Sequence, residues 1–279
     1  MTRQAFPPGH FYSPAVDPAE VAADQDRIWP ADPAPPGLDL NPVGQAAFLD
    51  GPLRKWLADY DYPEQPPPGA PPWAFFGANT QFERLDARAL FAMLLELRPA
   101  RMIEVGSGFS SLLTADGKRR HLDGRLEFRC VEPFPRPFLR AGVPGIDEVV
   151  ETRVQELPGP WFADRLGPGD VLFIDSSHVV KTGSDAVHMY LGVLPLLPAG
   201  VVVHVHDIFL PNDYPRPWVV DEARSWNEQY LVQAMLVFGD SFEVLFGSSA
   251  AAAMHPELLA EVLGGPVWTG GSLWLRKRR

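Results

Sequence analysis

The sequence predicts an α/β fold: a seven-stranded, mostly parallel sheet with helices on both faces, preceded by an irregular proline-rich segment. Three observations carry this expectation. Short apolar runs alternate with stretches of helical spacing from residue 86 onward. One of those runs passes directly into a glycine-bearing turn that opens a helix. The prolines, 31 in all, crowd together before position 75 as Pro33, Pro35, Pro36, Pro66, Pro67, Pro68, Pro71 and Pro72. Such runs exclude regular helix and favour extended backbone.

The elements follow in order. Residues 1–75 read as a cap or lid with short helices such as Gly44–Tyr60, and their aromatics Phe6, Phe11, Tyr12, Trp29, Trp56 and Trp73 imply packing against something. Residues 76–279 read as the main domain. It opens with a helix over Asp86–Leu97, whose first residue suits a cap. Arg101–Val105 is the first strand, Ser110–Arg120 a helix and Leu126–Val131 the second strand. Strands are expected at Asp147–Thr152, Val171–Asp175 and Val201–His206, with a helix over Asp185–Leu197. A helix over Ser225–Phe238 and strands at Phe242–Phe246 and Gly271–Arg276 close the chain, and the last two are candidates for an antiparallel edge. Alternating strands and helices require right-handed crossovers, hence parallel strands covered on both faces.

Composition excludes several classes. Hydrophobic residues make up 46% and charged residues 21%, which suits a packed core. A net charge of -11 disfavours nucleic acid as partner, because phosphates repel an acidic surface. The single cysteine, Cys130, allows no internal disulfide. There is no basic flank with an apolar run at the start and no apolar stretch of membrane-spanning length. The expectation is a cytoplasmic protein with a small-molecule substrate, no membrane partner, and homo-oligomerisation left open.

The segment Ile103-Glu104-Val105-Gly106-Ser107-Gly108-Phe109-Ser110-Ser111 carries the first chemical signal. Glycines in such a turn let backbone approach a ligand, and the helix that follows offers free amides. The same turn suits a dinucleotide, although the third glycine of that fingerprint is missing. Glu132, ending the second strand, can accept both hydroxyls of a ribose. Gln155, after the third strand, is placed to meet an adenine edge. Cys130 reads as strand core.

These residues resemble the class I S-adenosylmethionine (SAM)-dependent methyltransferases, Rossmann-like enzymes, and within them a bacterial small-molecule family. The likeness runs from about Asn79 to Arg276. It implies that Glu104, Gly106, Ser107, Gly108, Ser110, Glu132, Gln155 and Asp175 hold SAM.

A further group, Asp175, His178, His204, His206 and Asp207, ends the fourth and fifth strands. Neighbouring strand ends of an open sheet face one crevice, where carboxylates and imidazoles together suit a divalent metal. The arrangement is similar to the metal-dependent catechol-type O-methyltransferases. That likeness implies Asp175, His206 and Asp207 as metal ligands and His178 as general base, with His, Asp and His standing where those enzymes carry Asp, Asn and Lys. Imidazole shifts the preference from Mg²⁺ toward Mn²⁺, Fe²⁺ or Zn²⁺. His204 reads as a core histidine. Asp175 and Asp207 as helix caps is the plainer alternative.

Tyr214, Trp226 and Tyr230, with Trp218, are expected to wall an acceptor. Tyr12, in His10-Phe11-Tyr12-Ser13-Pro14, is expected near the methyl donor if the N-terminal segment is a lid, and at a dimer contact if it is not. The reading is SAM-dependent methyl transfer to a small molecule, by analogy at oxygen and with a divalent metal. An NAD-dependent oxidoreductase and a non-methylating iron or metal protein on the same fold are the alternatives.

Overall fold

The computed structural model describes residues 5–279. One sheet contains β1 (Arg101–Val105), β2 (Glu127–Val131), β3 (Glu148–Val150), β4 (Val171–Ile174), β5 (Val202–Val205), β6 (Phe242–Gly247) and β7 (Leu273–Lys277). Their order is β3-β2-β1-β4-β5-β7-β6. The first five strands are parallel, and β7 runs antiparallel to both β5 and β6. The mostly parallel seven-stranded α/β fold expected from the sequence is the fold observed.

β4 and β5 are buried along their whole lengths, as strands covered on both faces must be. Alternation divides their side chains. Val171 and Phe173 enter one core with Phe91, Phe128 and Trp274, and Leu172 and Ile174 enter the other with Phe162, Met189 and Val193. Helix α1 (Arg84–Leu97) supplies the first core with a run of buried apolar residues including Leu90, Phe91 and Leu94. Asp86 is not its cap. It lies inside the first turn and accepts hydrogen bonds from Ser248 Oγ and the amides of Gly271 and Ser272.

Two expected helices are observed as unbroken helical runs whose hydrogen-bond spacing changes along their length, each containing a proline, which lacks the amide that regular α-helix needs. The helix expected over Gly44–Tyr60 runs as α-helix at Pro42–Phe48, widens at Leu49–Leu53 around Pro52, returns to α at Arg54–Trp56 and tightens at Leu57–Asp59. Asp185–Leu197 becomes Asp185–Val187, a widened turn at His188–Val193 and a tight turn at Leu194–Leu196 containing Pro195.

The proline-rich segment is docked on the domain. Val16 N donates to Ser225 Oγ at 3.3 Å and Trp29 Nε1 to the Tyr214 carbonyl at 2.8 Å. Further along, Asn41 Nδ2 donates to the Val244 carbonyl and Gln45 Oε1 accepts from Gly247 N, fixing the segment against β6. Among the described residues no helix is long and apolar enough to cross a membrane.

Candidate active site

Strand order reverses between β1 and β4, whose neighbours β2 and β5 lie on opposite sides, so the crevice of an open α/β sheet opens there. Gly106 ends β1 at φ +82°, and a Cβ on it would stand 1.8 Å from the Asp175 carbonyl oxygen. Only glycine lets the two strand ends approach this closely. Helix α2 (Phe109–His121) then begins, with the Gly108 amide donating to Ser111 Oγ.

Two adjoining cavities occupy the crevice. The larger, about 410 Å³, is lined by Gly106, Glu132, Gln155, Asp175, Ser176 and Lys181 among others. The smaller, about 200 Å³, shares Gly106, Glu132 and Asp175 and adds Gln81, Ser107, Gly108, Ser110 and Arg136. Glu132 is held at their shared rim, its carboxylate accepting from Ser107 N at 3.2 Å and Phe134 N at 2.8 Å. Gln155 stands in a tight turn, its amide donating to the Gly183 carbonyl.

Glu104 lies elsewhere. It is fully buried below the turn, accepting from Ser110 Oγ at 2.5 Å and facing Cys130 Sγ at 3.6 Å. Burial pushes its carboxyl up to about 8 against the pull of the Ser110 and Ser111 hydroxyls. Glu104 lines neither cavity, and the Ser110 hydroxyl is turned toward it.

On the β4–β5 side, His178 Nε2 lies 3.3 Å from Asp175 Oδ1 and 3.4 Å from Asp207 Oδ2. His178 and Asp207 both adopt left-handed backbone, at φ 59° and 58°. Asp175, His178 and Asp207 each offer one ligand atom, and these atoms lie within 4.8 Å of one another. The trio differs from the one the sequence pointed to, because His178 stands in it and His206 does not. His206 Nε2 is 3.7 Å from Asp207 Oδ1.

A residue the sequence reading passed over completes the group. Glu228 Oε2 lies 2.9 Å from His178 Nδ1, and Glu228 is 1% exposed. Burial opposes a charged imidazole here, but the hydrogen bonds to Asp175 and Glu228 and the charge of Asp207 outweigh it, holding His178 at about 10. A histidine flanked by acceptors at both nitrogens has no lone pair ready to take a proton. The base role expected of His178 therefore conflicts with its surroundings. His204 is the core histidine expected, stacked on Phe173 at 3.8 Å with Nε2 against Ser272 Oγ.

Residues 103–208 match the family described as "Methyltransferase domain". An uncharacterised protein of Archaeoglobus fulgidus is 37% identical over 140 residues, spanning 50% of this chain and 62% of that relative. The family match runs from β1 to the end of β5 and includes Gly106, Glu132, Asp175, His178 and Asp207.

Similar solved structures include the SAH-bound methyltransferase PaMTH1 of Podospora anserina, at 16% identity and a TM-score of 0.44 over 94% of this chain and 95% of that one. Another, a protein from Thermobifida fusca assigned to the methyltransferases, has 16% identity and a TM-score of 0.42 over 90% and 100%.

The expected acceptor residues scatter around this crevice. Trp226 packs against His178 with ring centroids 4.4 Å apart and the planes tilted by 39°, and is the one beside the trio. Tyr214 is buried, its hydroxyl accepting from Gln229 N, so it supports the wall from behind. Tyr230 donates to Asp213 Oδ1 and lines a separate cavity of about 280 Å³ with Trp29 and Pro33. Tyr12 is 66% exposed in a knot with Phe6, His10 and Phe11, and it lines neither cavity of the crevice. Gln81, Arg136 and Glu228 were missed. Glu228 had a visible signal, since it lies within the polar run Arg224–Tyr230.

Proposed function

We propose that the chain transfers a methyl group from SAM to an oxygen of a small-molecule acceptor, with a divalent cation held by Asp175, His178 and Asp207. One observation carries this reading. A crevice rimmed by the carboxylate of Glu132 meets a carboxylate–imidazole trio at the same switch point, and Asp175 belongs to both.

The residues present fit SAM. Ser176 Oγ, buried in the larger cavity's lining, has no partner among the described residues, and Glu132 keeps lone pairs for ribose hydroxyls. SAM supplies a cationic sulfonium whose methyl group is electrophilic toward an oxygen lone pair. In this reading Glu132 accepts the ribose hydroxyls while Val154 and Gln155 flank the base.

Asp175, His178 and Asp207 would hold a divalent cation, whose chemistry would be to lower the pKa of an acceptor hydroxyl so that its proton passes to water. The trio is one nitrogen and two oxygens, which suits Mn²⁺, Fe²⁺ or Zn²⁺ better than Mg²⁺. His178 would hold the cation through Nε2 once the cation displaces the proton there, with Glu228 accepting from Nδ1–H. Trp226 orients that ring from its face. Much of the acceleration comes from holding donor and acceptor together, which removes translational entropy from the barrier.

The test is calorimetric titration of SAM, its demethylated product S-adenosylhomocysteine (SAH) and NADH, with and without Mn²⁺. Micromolar SAM or SAH binding without NADH binding supports the reading. NADH binding alone replaces it with an oxidoreductase. Consumption of 2-oxoglutarate with iron, and no SAM or SAH binding, replaces it with the iron protein.

A further inference from the structure

The cavity of about 280 Å³ that Tyr230 shares with Trp29 lies outside the crevice, and none of its lining residues lines either cavity there. One wall comes from the docked N-terminal segment, residues 27–35. The other comes from the loop after β5 and the helix Glu228–Phe238. The Tyr214 ring neighbours both regions. Its centroid is 6.3 Å from that of Trp226, beside the trio, and 6.0 Å from that of Tyr230, in the cavity.

Both aromatic side chains are pinned by their one polar atom. Trp29 Nε1 donates to the Tyr214 carbonyl at 2.8 Å, and the Tyr230 hydroxyl donates to Asp213 Oδ1 at 2.8 Å. What each ring has left to offer is its apolar body, and Tyr230 is still 47% exposed. The walls around them are fixed. Gln229 Oε1 accepts from Phe209 N and its Nε2 donates to the Asn212 carbonyl, while Asn212 Nδ2 donates to Ser249 Oγ. Across the cavity Pro30, Pro33 and Pro35 stiffen the backbone of the docked segment. Three polar groups of the lining have no partner among the described residues: Asp213 Oδ2, Asn212 Oδ1 and the Gln233 amide. The charge of Arg27 is already met by Asp24, at 2.6 Å.

We infer that this cavity binds a pyranose ring, an uncharged sugar unit packed on Trp29 and Tyr230. A pyranose has an apolar C–H face and a rim of hydroxyls, each both donor and acceptor. The two pinned rings match the face. The carboxylate and carbonyl oxygens of Asp213 and Asn212 accept from such hydroxyls, and the Gln233 amide both donates and accepts. Charge selects against other ligands, since an anion would meet the Asp213 carboxylate and a cation would meet Arg27. Size does too, because drug-sized ligands take about 300–1,000 Å³, and this cavity suits a single ring rather than a nucleotide. The site shares no residue with the SAM reading, so failure of either leaves the other standing.

The experiment is saturation-transfer NMR on the full chain with the methyl glycosides of glucose, galactose and rhamnose, beside phenol and inorganic phosphate. At least one glycoside is expected to bind in the millimolar range, with transfer strongest at the ring C–H protons of one face. Tyr230→Ala and Trp29→Ala should each weaken it by about tenfold, the scale of one aromatic contact. Gln233→Ala should weaken it by roughly threefold or more, as loss of a hydrogen bond does. Tyr230 lies at the surface and carries the test should Trp29→Ala fail to fold. The free sugar is run beside whichever glycoside binds. Equal binding assigns the cavity to free sugars, and a preference of about tenfold for the glycoside assigns it to a sugar carried on a larger molecule. Binding of no glycoside, phenol or phosphate binding in their place, or glycoside binding unchanged in Tyr230→Ala overturns the inference.

Discussion

His178 Nδ1 and Glu228 Oε2 lie 2.9 Å apart across 50 residues of sequence, joining the loop after β4 to the first turn of the helix at Glu228–Phe238. The same junction is tied through the backbone. Asn227 N and Glu228 N both donate to the His178 carbonyl, and Asn227 Oδ1 accepts from Val180 N at 2.6 Å. This is why the helix begins at Glu228 and not at Ser225, since the residues before it are engaged in holding the loop. A carboxylate behind a ligating imidazole sets the tautomer and raises the basicity of the exposed nitrogen. Replacing Glu228 with Ala is therefore expected to weaken Mn²⁺ binding by about 10–100-fold, with Glu228→Gln between the two. Metal titration by calorimetry checks this, and equal affinities in all three proteins would refute the orienting role.

A methyl group at position 106 tests the crevice itself. Gly106→Ala meets the Asp175 carbonyl oxygen at 1.8 Å and must also hold φ +82°. Backbone has to move, so a loss on the order of 2–4 kcal/mol is expected. The displaced atoms are the floor shared by both cavities, and SAH affinity should fall at least tenfold in protein that still melts cooperatively. Thermal unfolding and calorimetry on the same preparation measure the two effects. Undiminished SAH affinity would place the donor away from this turn.

The pH dependence of stability should carry the mark of Glu104. Its folded carboxyl titrates at about 8 because burial disfavours the charge, against an ordinary value of 4.5. Between those values the folded protein keeps a proton that the unfolded chain has released, so stability falls as pH rises through that window and levels off above it. The loss should amount to a few kcal/mol, at about 1.4 kcal/mol per unit of pH. Glu104→Gln keeps the shape of the protonated acid and should lack this contribution, so that its stability falls less steeply than the wild type's over the same range. Denaturant unfolding of both proteins from pH 4.5 to 8 gives the comparison.

What the sequence made legible divides along physical lines. β1, β4 and β5 stood out because strands buried on both faces are mostly apolar, with Glu104 and His204 the polar residues buried within them, and Gly106-Ser107-Gly108 marked the turn between β1 and α2. Asp175 and Asp207 were legible as strand-end carboxylates, and His204 as core. The pairing of His178 with Glu228 was not, because side-chain contacts over 50 residues leave no periodicity. Nor was the choice between His178 and His206, which depends on left-handed backbone at His178 and Asp207 that no local pattern announces. The helix over Gly44–Tyr60 was legible from its spacing, whereas its widening at Leu49–Leu53 around Pro52 was not.

That choice between two histidines yields the sharpest comparison. His178 offers Nε2 to the space between Asp175 and Asp207, whereas His206 reaches only Asp207, at 3.7 Å, with its Nδ1 buried and unpartnered among the described residues. A cation that binds the folded protein alone stabilises it by RT ln(1 + [L]/Kd), about 2.7 kcal/mol at a hundred times Kd. Mn²⁺ should raise the melting temperature of the wild-type protein, and His178→Ala and Asp207→Ala should abolish that increment. His206→Asn, whatever it costs in the metal-free protein, should keep most of it, because the comparison reads the difference with and without Mn²⁺. Loss of the increment in His206→Asn with retention in His178→Ala would restore the ligand set that the sequence first pointed to. Loss in neither variant would place Mn²⁺ outside this group of side chains.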